Sequence, residues 1–229
     1  MTGKAFGVVF GFALGAFAVA QQPAMTAPMN PAPLTFGEVV HPAYKDAVLK
    51  IVRQPTISTK YASDDVTCGR EMYEWLLAHP DRVSLAWRRM KVGCVEIKDL
   101  GNGRFGWNDD QGSDLVWQSV GTFTDGVVWY ATGKVKPSPV TPTVPVKAVV
   151  VMMHPSKPLD GGAAVMQPVT QVYLQTDSKA ANVVLKIIGP TAPKLAEQGA
   201  DQLLYFFTGI ARYLQKHPDR RDELLGPKK

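Results

Sequence analysis

The sequence predicts an α+β domain in which a curved antiparallel β-sheet packs around a long C-terminal helix, with short helices near the N-terminus. Three observations carry this expectation. Between Val92 and Thr176 apolar and polar residues alternate with a period of two, interrupted by turn residues. From Pro193 to Lys216 the period becomes helical, with Leu195, Leu203, Phe206, Phe207, Ile210 and Leu214 on one stripe. Ahead of the alternating region Met72, Trp75 and Leu76, then Val83, Leu85, Ala86 and Met90, repeat at helical spacing.

The chain of 229 residues opens with a segment that reads as a cleavable secretory signal over residues 1–20. Lys4 supplies a positive start, Ala5 to Ala20 carry no charge, and Ala18-Val19-Ala20 offers the small-x-small pattern that signal peptidase accepts. The uncharged run is shorter than the roughly 20 residues that span a bilayer, so no stable membrane span is expected after cleavage near Ala20. The mature protein is therefore expected to be exported, periplasmic or extracellular. Residues 21–35, rich in Gln, Pro and Ala, read as a disordered linker. Residues 36–225 have the length of one domain, followed by a short tail at 226–229.

The formal charge is +5, and loss of Lys4 lowers it by one. The basic residues are scattered and no aromatic ladder runs between them, so no nucleic-acid partner is expected. Cys68 and Cys94 are the only cysteines. A disulfide between them and two separate buried thiols fit an exported chain equally, since spacing alone does not bring two sulfurs together.

Taken in order, a helix is expected from Thr67 to Ala78, capped by Asp64, Asp65 or Thr67 and ended by His79-Pro80, and a second from Asp81. Val95 and Ile97 alternate with charged residues, then Gly101-Asn102-Gly103 turns the chain into a partner strand from Arg104 to Trp107. Leu115–Phe123 and Val127–Lys134 form a second hairpin around Thr124-Asp125-Gly126, where Asp-Gly accepts the positive φ of tight turns. Alternation assigns Leu115, Trp117, Ser119 and Phe123 to the inward face, with Val127, Trp129, Ala131 and Gly133, and places Val128, Tyr130, Thr132 and Lys134 on the other. Beyond the proline-rich loop Pro137–Pro145, Val146, Ala148, Val150 and Met152 face in, as do Val172 and Leu174. A helix through Ser178–Ile188 precedes the long one.

No motif for chemistry survives its context. Gly101-Asn102-Gly103-Arg104-Phe105-Gly106 matches a dinucleotide-binding pattern, but strands flank it and no helix opens after Gly106. All four histidines precede a proline; none pairs at metal-ligand spacing, and His79-Pro80-Asp81-Arg82 and His217-Pro218-Asp219-Arg220 read as one helix-ending solution used twice. His154 is placed at a strand end before Pro155. The inward positions bring no two titratable groups together, so no catalytic residue, metal or cofactor is expected.

A first strand near Val48 to Tyr61, two short helices with Tyr73-Glu74-Trp75-Leu76-Leu77, a run of antiparallel strands and a long terminal helix make an order that resembles the START/polyketide-cyclase-like, helix-grip superfamily. The resemblance implies a cavity between sheet and C-terminal helix for a hydrophobic or lipid-like molecule. The face assignment supplies Trp117, Phe123, Trp129, Met152, Leu174, Phe206 and Phe207 as its lining. A non-enzymatic hydrophobic-ligand binder is the leading expectation. An envelope protein with a dry core, contacting a protein partner through Pro137–Pro145, is the second, and a cyclase- or hydrolase-like enzyme the third.

Overall fold

The computed structural model describes residues 35–109, 112–136, 143–159, 163–176 and 192–226. The expected leader, nearly all of the linker, loop residues 137–142, the helix expected over Ser178–Ile188 and residues 227–229 fall outside them.

After a single helical turn, α1 (Phe36–Val39), the chain forms α2 (Pro42–Arg53) where the sequence suggested a strand beginning near Val48. Local chemistry explains the difference. Pro42 sits at the first helical position, where its missing N–H costs nothing, and the His41 ring accepts the Ala43 amide at 3.3 Å. Val48 and Ile51, one helical step apart, are buried. The first strand, β1 (Ile57–Ala62), follows.

The helix expected from Thr67 begins later. Val66 and Cys68 instead form β2 (Val66–Cys68), paired with a strand far along the chain, and α3 (Arg70–Ala78) starts after Gly69, so none of the expected caps is used. His79 ends α3 and Pro80 opens α4 (Pro80–Arg89). The meander then runs through β3 (Lys98–Asp99), β4 (Arg104–Asn108), β5 (Asp114–Phe123), β6 (Gly126–Val135), β7 (Val144–Met153), β8 (Ser156–Pro158), β9 (Ala164–Met166) and β10 (Val169–Gln175). The C-terminal elements are α5 (Ala192–Lys216), a 3-10 turn (Pro218–Arg220) and α6 (Arg221–Leu225).

Seven strands form one antiparallel sheet in the order β1-β10-β7-β6-β5-β4-β3, and β2-β9-β8 form a small second sheet. This is the α+β architecture expected: a large antiparallel sheet, a long C-terminal helix and short helices near the N-terminus. Two hairpins fall where expected. Gly101, Asn102 and Gly103 all have positive φ, which is why the glycines are there. The Thr124-Asp125 turn differs: neither residue nor Gly126 has positive φ, and a Cβ on Gly126 would lie 2.3 Å from the Met152 carbonyl oxygen. Close approach of β7, and not turn geometry, requires that glycine.

Ser84 replaces the expected strand at Val95–Ile97. Its hydroxyl donates to the Val95 carbonyl at 2.7 Å and accepts the Ile97 amide at 3.2 Å, so those backbone groups are satisfied by a helix side chain.

The sheet carries a core on each face. The larger joins Trp129, Val150, Met152 and Val172 to Leu204, Phe206, Phe207 and Ile210 of α5 and to Tyr73, Leu76 and Trp87 of α3 and α4. The smaller packs Val48 and Ile51 of α2 against Val120, Val128, Val149 and Val151. The face carrying Val128 and Tyr130, assigned away from the core by alternation, is therefore also covered: Val128 is fully buried and Tyr130 meets Tyr44 at 5.8 Å between ring centres.

The two His-Pro-Asp-Arg corners share one geometry. His79 (φ −131, ψ 61) and His217 (φ −134, ψ 64) each close a helix, and each ring leans on the aromatic residue four positions earlier, Trp75 at 4.2 Å and Tyr213 at 4.6 Å. The C-terminal residues pack along α4: the Arg89 guanidinium at its end donates to the carbonyls of Glu223, Leu224 and Gly226, and Arg82 near its start donates to that of Gly226 at 3.4 Å.

Candidate ligand-binding site

The inward face of the sheet can be read in rows from its register. One row crosses five strands: Phe105 opposite Trp117, Trp117 opposite Ala131, Ala131 opposite Ala148, and Ala148 opposite Leu174. The next row carries Ser119, Trp129, Val150 and Val172, and the one beyond it Val127, Met152, Thr170 and Tyr61.

The rows differ in how they are filled. Trp129, Val150, Met152 and Val172 are buried, and α5 closes on them through Phe207, whose ring lies 5.6 Å from Trp129 and 4.8 Å from Phe206. In the first row only Ala148 is buried; Phe105, Trp117, Ala131 and Leu174 are half-buried although all are apolar. Two alanines form its floor, Trp117 and Phe105 rise on one side with ring centres 6.0 Å apart, and Leu174 rises on the other. α5 lies mainly over β1, β2 and β10 and reaches β6 at Trp129, while the row on the other side, Trp107, Leu115 and Val146, is buried again. We refer to this partly open apolar row as the trough.

The seven expected lining residues therefore divide. Trp117 and Leu174 flank the trough, while Trp129, Met152, Phe206 and Phe207 form a packed wall at its end. Phe123 is on the opposite face, packed with Val120 and Val128 under α2, and this corrects its inward assignment. The reason is a β-bulge: Ser119 pairs with Trp129 but Gly121 with Val128, so one extra residue, Val120, reverses the alternation beyond it. Phe105 and Ala131 join the site. Ala131 was assigned inward by alternation, but its small side chain does not stand out as a lining residue.

At the far end of the same face the structure overturns a second expectation, that no titratable groups meet inside. His154 is 2 % exposed and Tyr73 is 1 % exposed, with ring centres 5.6 Å apart in an edge-on contact. His154 Nε2 lies 4.0 Å from Glu74 Oε1. Burial pushes the Tyr73 phenol far above its usual range and His154 below its own, against the opposing pull of Glu74, so both are neutral near pH 7. Among the described residues Tyr73 Oη, His154 Nδ1 and the hydroxyl of fully buried Thr170 have no hydrogen-bond partner. Each such group costs about 1–3 kcal/mol when left unpaired. Thr170 continues the inward alternation of Val172 and Leu174, and Tyr73 lies one helical step from Leu76 and Leu77; both positions could have been read from the sequence.

Outside this cluster Arg70 bridges α3 to two loops. It donates to Glu74 at 2.8 Å, to Ser156 Oγ at 3.3 Å and to the Thr124 carbonyl, and lies 3.1 Å from Asp125. A surface cleft of about 390 Å³ between α4 and β3 is lined by charged groups, among them Asp81, Arg88, Glu96 and Lys98, and shares no residue with the trough.

Cys68 and Cys94 are free thiols. Burial pushes Cys68 up to about 12 and Cys94 up to about 11, the latter against the lowering effects of Ser84 and Arg88, so neither is a ready nucleophile. Among the described residues no cluster of His, Cys, Asp and Glu could hold a metal ion, and no helix is long and apolar enough to cross a membrane.

Neither a protein-family model nor a curated protein matches the chain. Among solved structures it is similar to a conserved protein from Geobacillus kaustophilus, with 13% identity, 69% of this chain and 97% of the other covered, and a TM-score of 0.45. A hypothetical protein from Helicobacter pylori is similar at 14% identity, with 82% and 100% covered and a TM-score of 0.44. The Zhui aromatase/cyclase from Streptomyces sp. R1128 is similar at 13% identity, with 75% and 99% covered and a TM-score of 0.31. At these identities and scores the three lend no activity to this chain.

Proposed function

We propose that the protein is an exported binder of a hydrophobic, lipid-like molecule that lies in the trough between the sheet and α5. The observation that supports this reading is the row Phe105, Trp117, Ala131, Ala148 and Leu174. All five residues are apolar and share the face that α5 approaches, yet four are half-exposed. Apolar surface left open in one strip is stabilised when an apolar molecule covers it, by about 25 cal/mol per Å² removed from water. The alanine floor leaves width for a chain or ring, and the packed wall of Trp129 and Phe207 sets where it stops.

Nile red titration of the purified chain tests the reading. A saturable, blue-shifted site is expected, and Ala131→Leu, which fills the floor, is expected to weaken it at least tenfold while the circular dichroism is unchanged. Absence of a saturable site, or equal affinity in Ala131→Leu, would refute it. Export is tested separately by N-terminal sequencing of the mature protein, expected to begin at Gln21.

A further inference from the structure

The half-exposed row does not account for the polar end of the face. From Ala148 to His154 along β7 is six residues, about 20 Å at ~3.3 Å each, and Trp129, Val150 and Met152 fill the space between. The two ends are therefore separate places.

Buried polar side-chain atoms are nearly always paired. Here three without a partner among the described residues share one neighbourhood: Tyr73 Oη, His154 Nδ1 and Thr170 Oγ1. Thr170 sits opposite Met152, His154 follows Met152 by two residues, and the Tyr73 ring meets His154 edge-on. Independent parts of the fold, α3, the residue after β7 and β10, thus each contribute one unpaired group. We propose that Tyr73, His154 and Thr170 form a second binding site that holds the uncharged carbonyl or hydroxyl oxygen of an otherwise apolar molecule.

The chemistry selects an uncharged oxygen. Two hydroxyls and an imidazole offer donors and acceptors without net charge, consistent with the directions in which burial moves Tyr73 and His154. Among the described residues a carboxylate has no free cation to meet there. Arg70 is engaged by Glu74 and Asp125, and Arg212, whose charge reaches Tyr73, donates to the carbonyls of Asp64 and Asp65. Met152 and Met166, both buried in the surrounding cluster, are unbranched and can shift to admit an apolar body. Entry lies past Arg70, whose ion pairs to Glu74 and Asp125 are more than a third exposed and so are easily opened.

The test follows the His154 ring by NMR in the full chain labelled at histidine, titrated with 2-decanone, 2-decanol, decane and decanoate. Saturable movement of the His154 ring signals is expected with the ketone or the alcohol, with decane producing none and decanoate binding at least tenfold more weakly. Tyr73→Phe and Thr170→Val are each expected to weaken ketone binding about tenfold while raising the Tm of the unliganded protein, because each removes an unpaired buried hydroxyl. A merely structural hydroxyl would not couple those two changes. Thr170→Val, which keeps the side-chain shape, stands alone if Tyr73→Phe does not fold. No movement of His154 with either oxygenated probe, or unchanged affinity in the variants, overturns the proposal. Ala131→Leu should leave the His154 response intact, so failure of this site and failure of the trough are told apart.

Discussion

Phe207→Ala is expected to lower the unfolding free energy by about 3–5 kcal/mol. The ring is 1 % exposed and lies between Trp129 on the sheet and Phe206 on its own helix, so truncation leaves a cavity in the larger core. Urea unfolding followed by Trp fluorescence measures it, with the slope unchanged if the two-state transition is kept. Trp117→Ala is the informative contrast. Its side chain is half-buried at the edge of the trough, so the same measurement should show a loss of about 1–2 kcal/mol, while Nile red affinity falls at least tenfold. Equal stability losses in the two variants would show that the row is core and not trough.

Gly209→Leu is expected to disrupt the joint between α4 and α5. A Cβ at this position would stand 2.7 Å from the Trp87 ring, whose indole N–H donates to the Phe206 carbonyl at 2.9 Å. The helix is thereby pinned by one aromatic residue that needs a side-chain-free neighbour. Leucine cannot be seated without moving the indole, and the loss combines overpacking with a broken buried hydrogen bond, about 3–5 kcal/mol together. Thermal unfolding should show a drop in Tm of about 6–20 °C at this domain size, and Gly209→Ala a smaller one. A Gly209→Leu protein with unchanged Tm would mean that α5 does not close on Trp87.

Much of the architecture is legible in the sequence because its signals are local. The hairpin at Gly101-Asn102-Gly103 is encoded by residues that tolerate positive φ, and the stripe from Leu203 to Leu214 carries the helical period over several turns. The misses have local causes too. Pro42 with Val48 and Ile51 at helical spacing announces α2, in the same His-Pro form that opens α4, but an apolar run that short reads equally as a strand. Val66 and Cys68 became a strand because Met166 and Ala164 pair with them across nearly a hundred residues, which no local window contains. The candidate site shows the same division. Trp117 and Leu174 were found by alternation, Phe123 was misplaced by a bulge one residue long, and the meeting of Tyr73 with His154 depends on how α3 is laid against the end of β7.

The Ser84 hydroxyl has a consequence for the protein's behaviour at high concentration. Strands at the border of a sheet expose a ladder that another molecule can extend, the usual seed of aggregation. Here the border strand β3 is two residues long and carries Lys98 and Asp99, both exposed. The apolar stretch before it, which would otherwise lengthen that border, has its Val95 carbonyl and Ile97 amide turned to a helix side chain. One serine thus removes a sticky margin from the sheet, and the meander ends in two charges where a neighbouring copy would need open backbone.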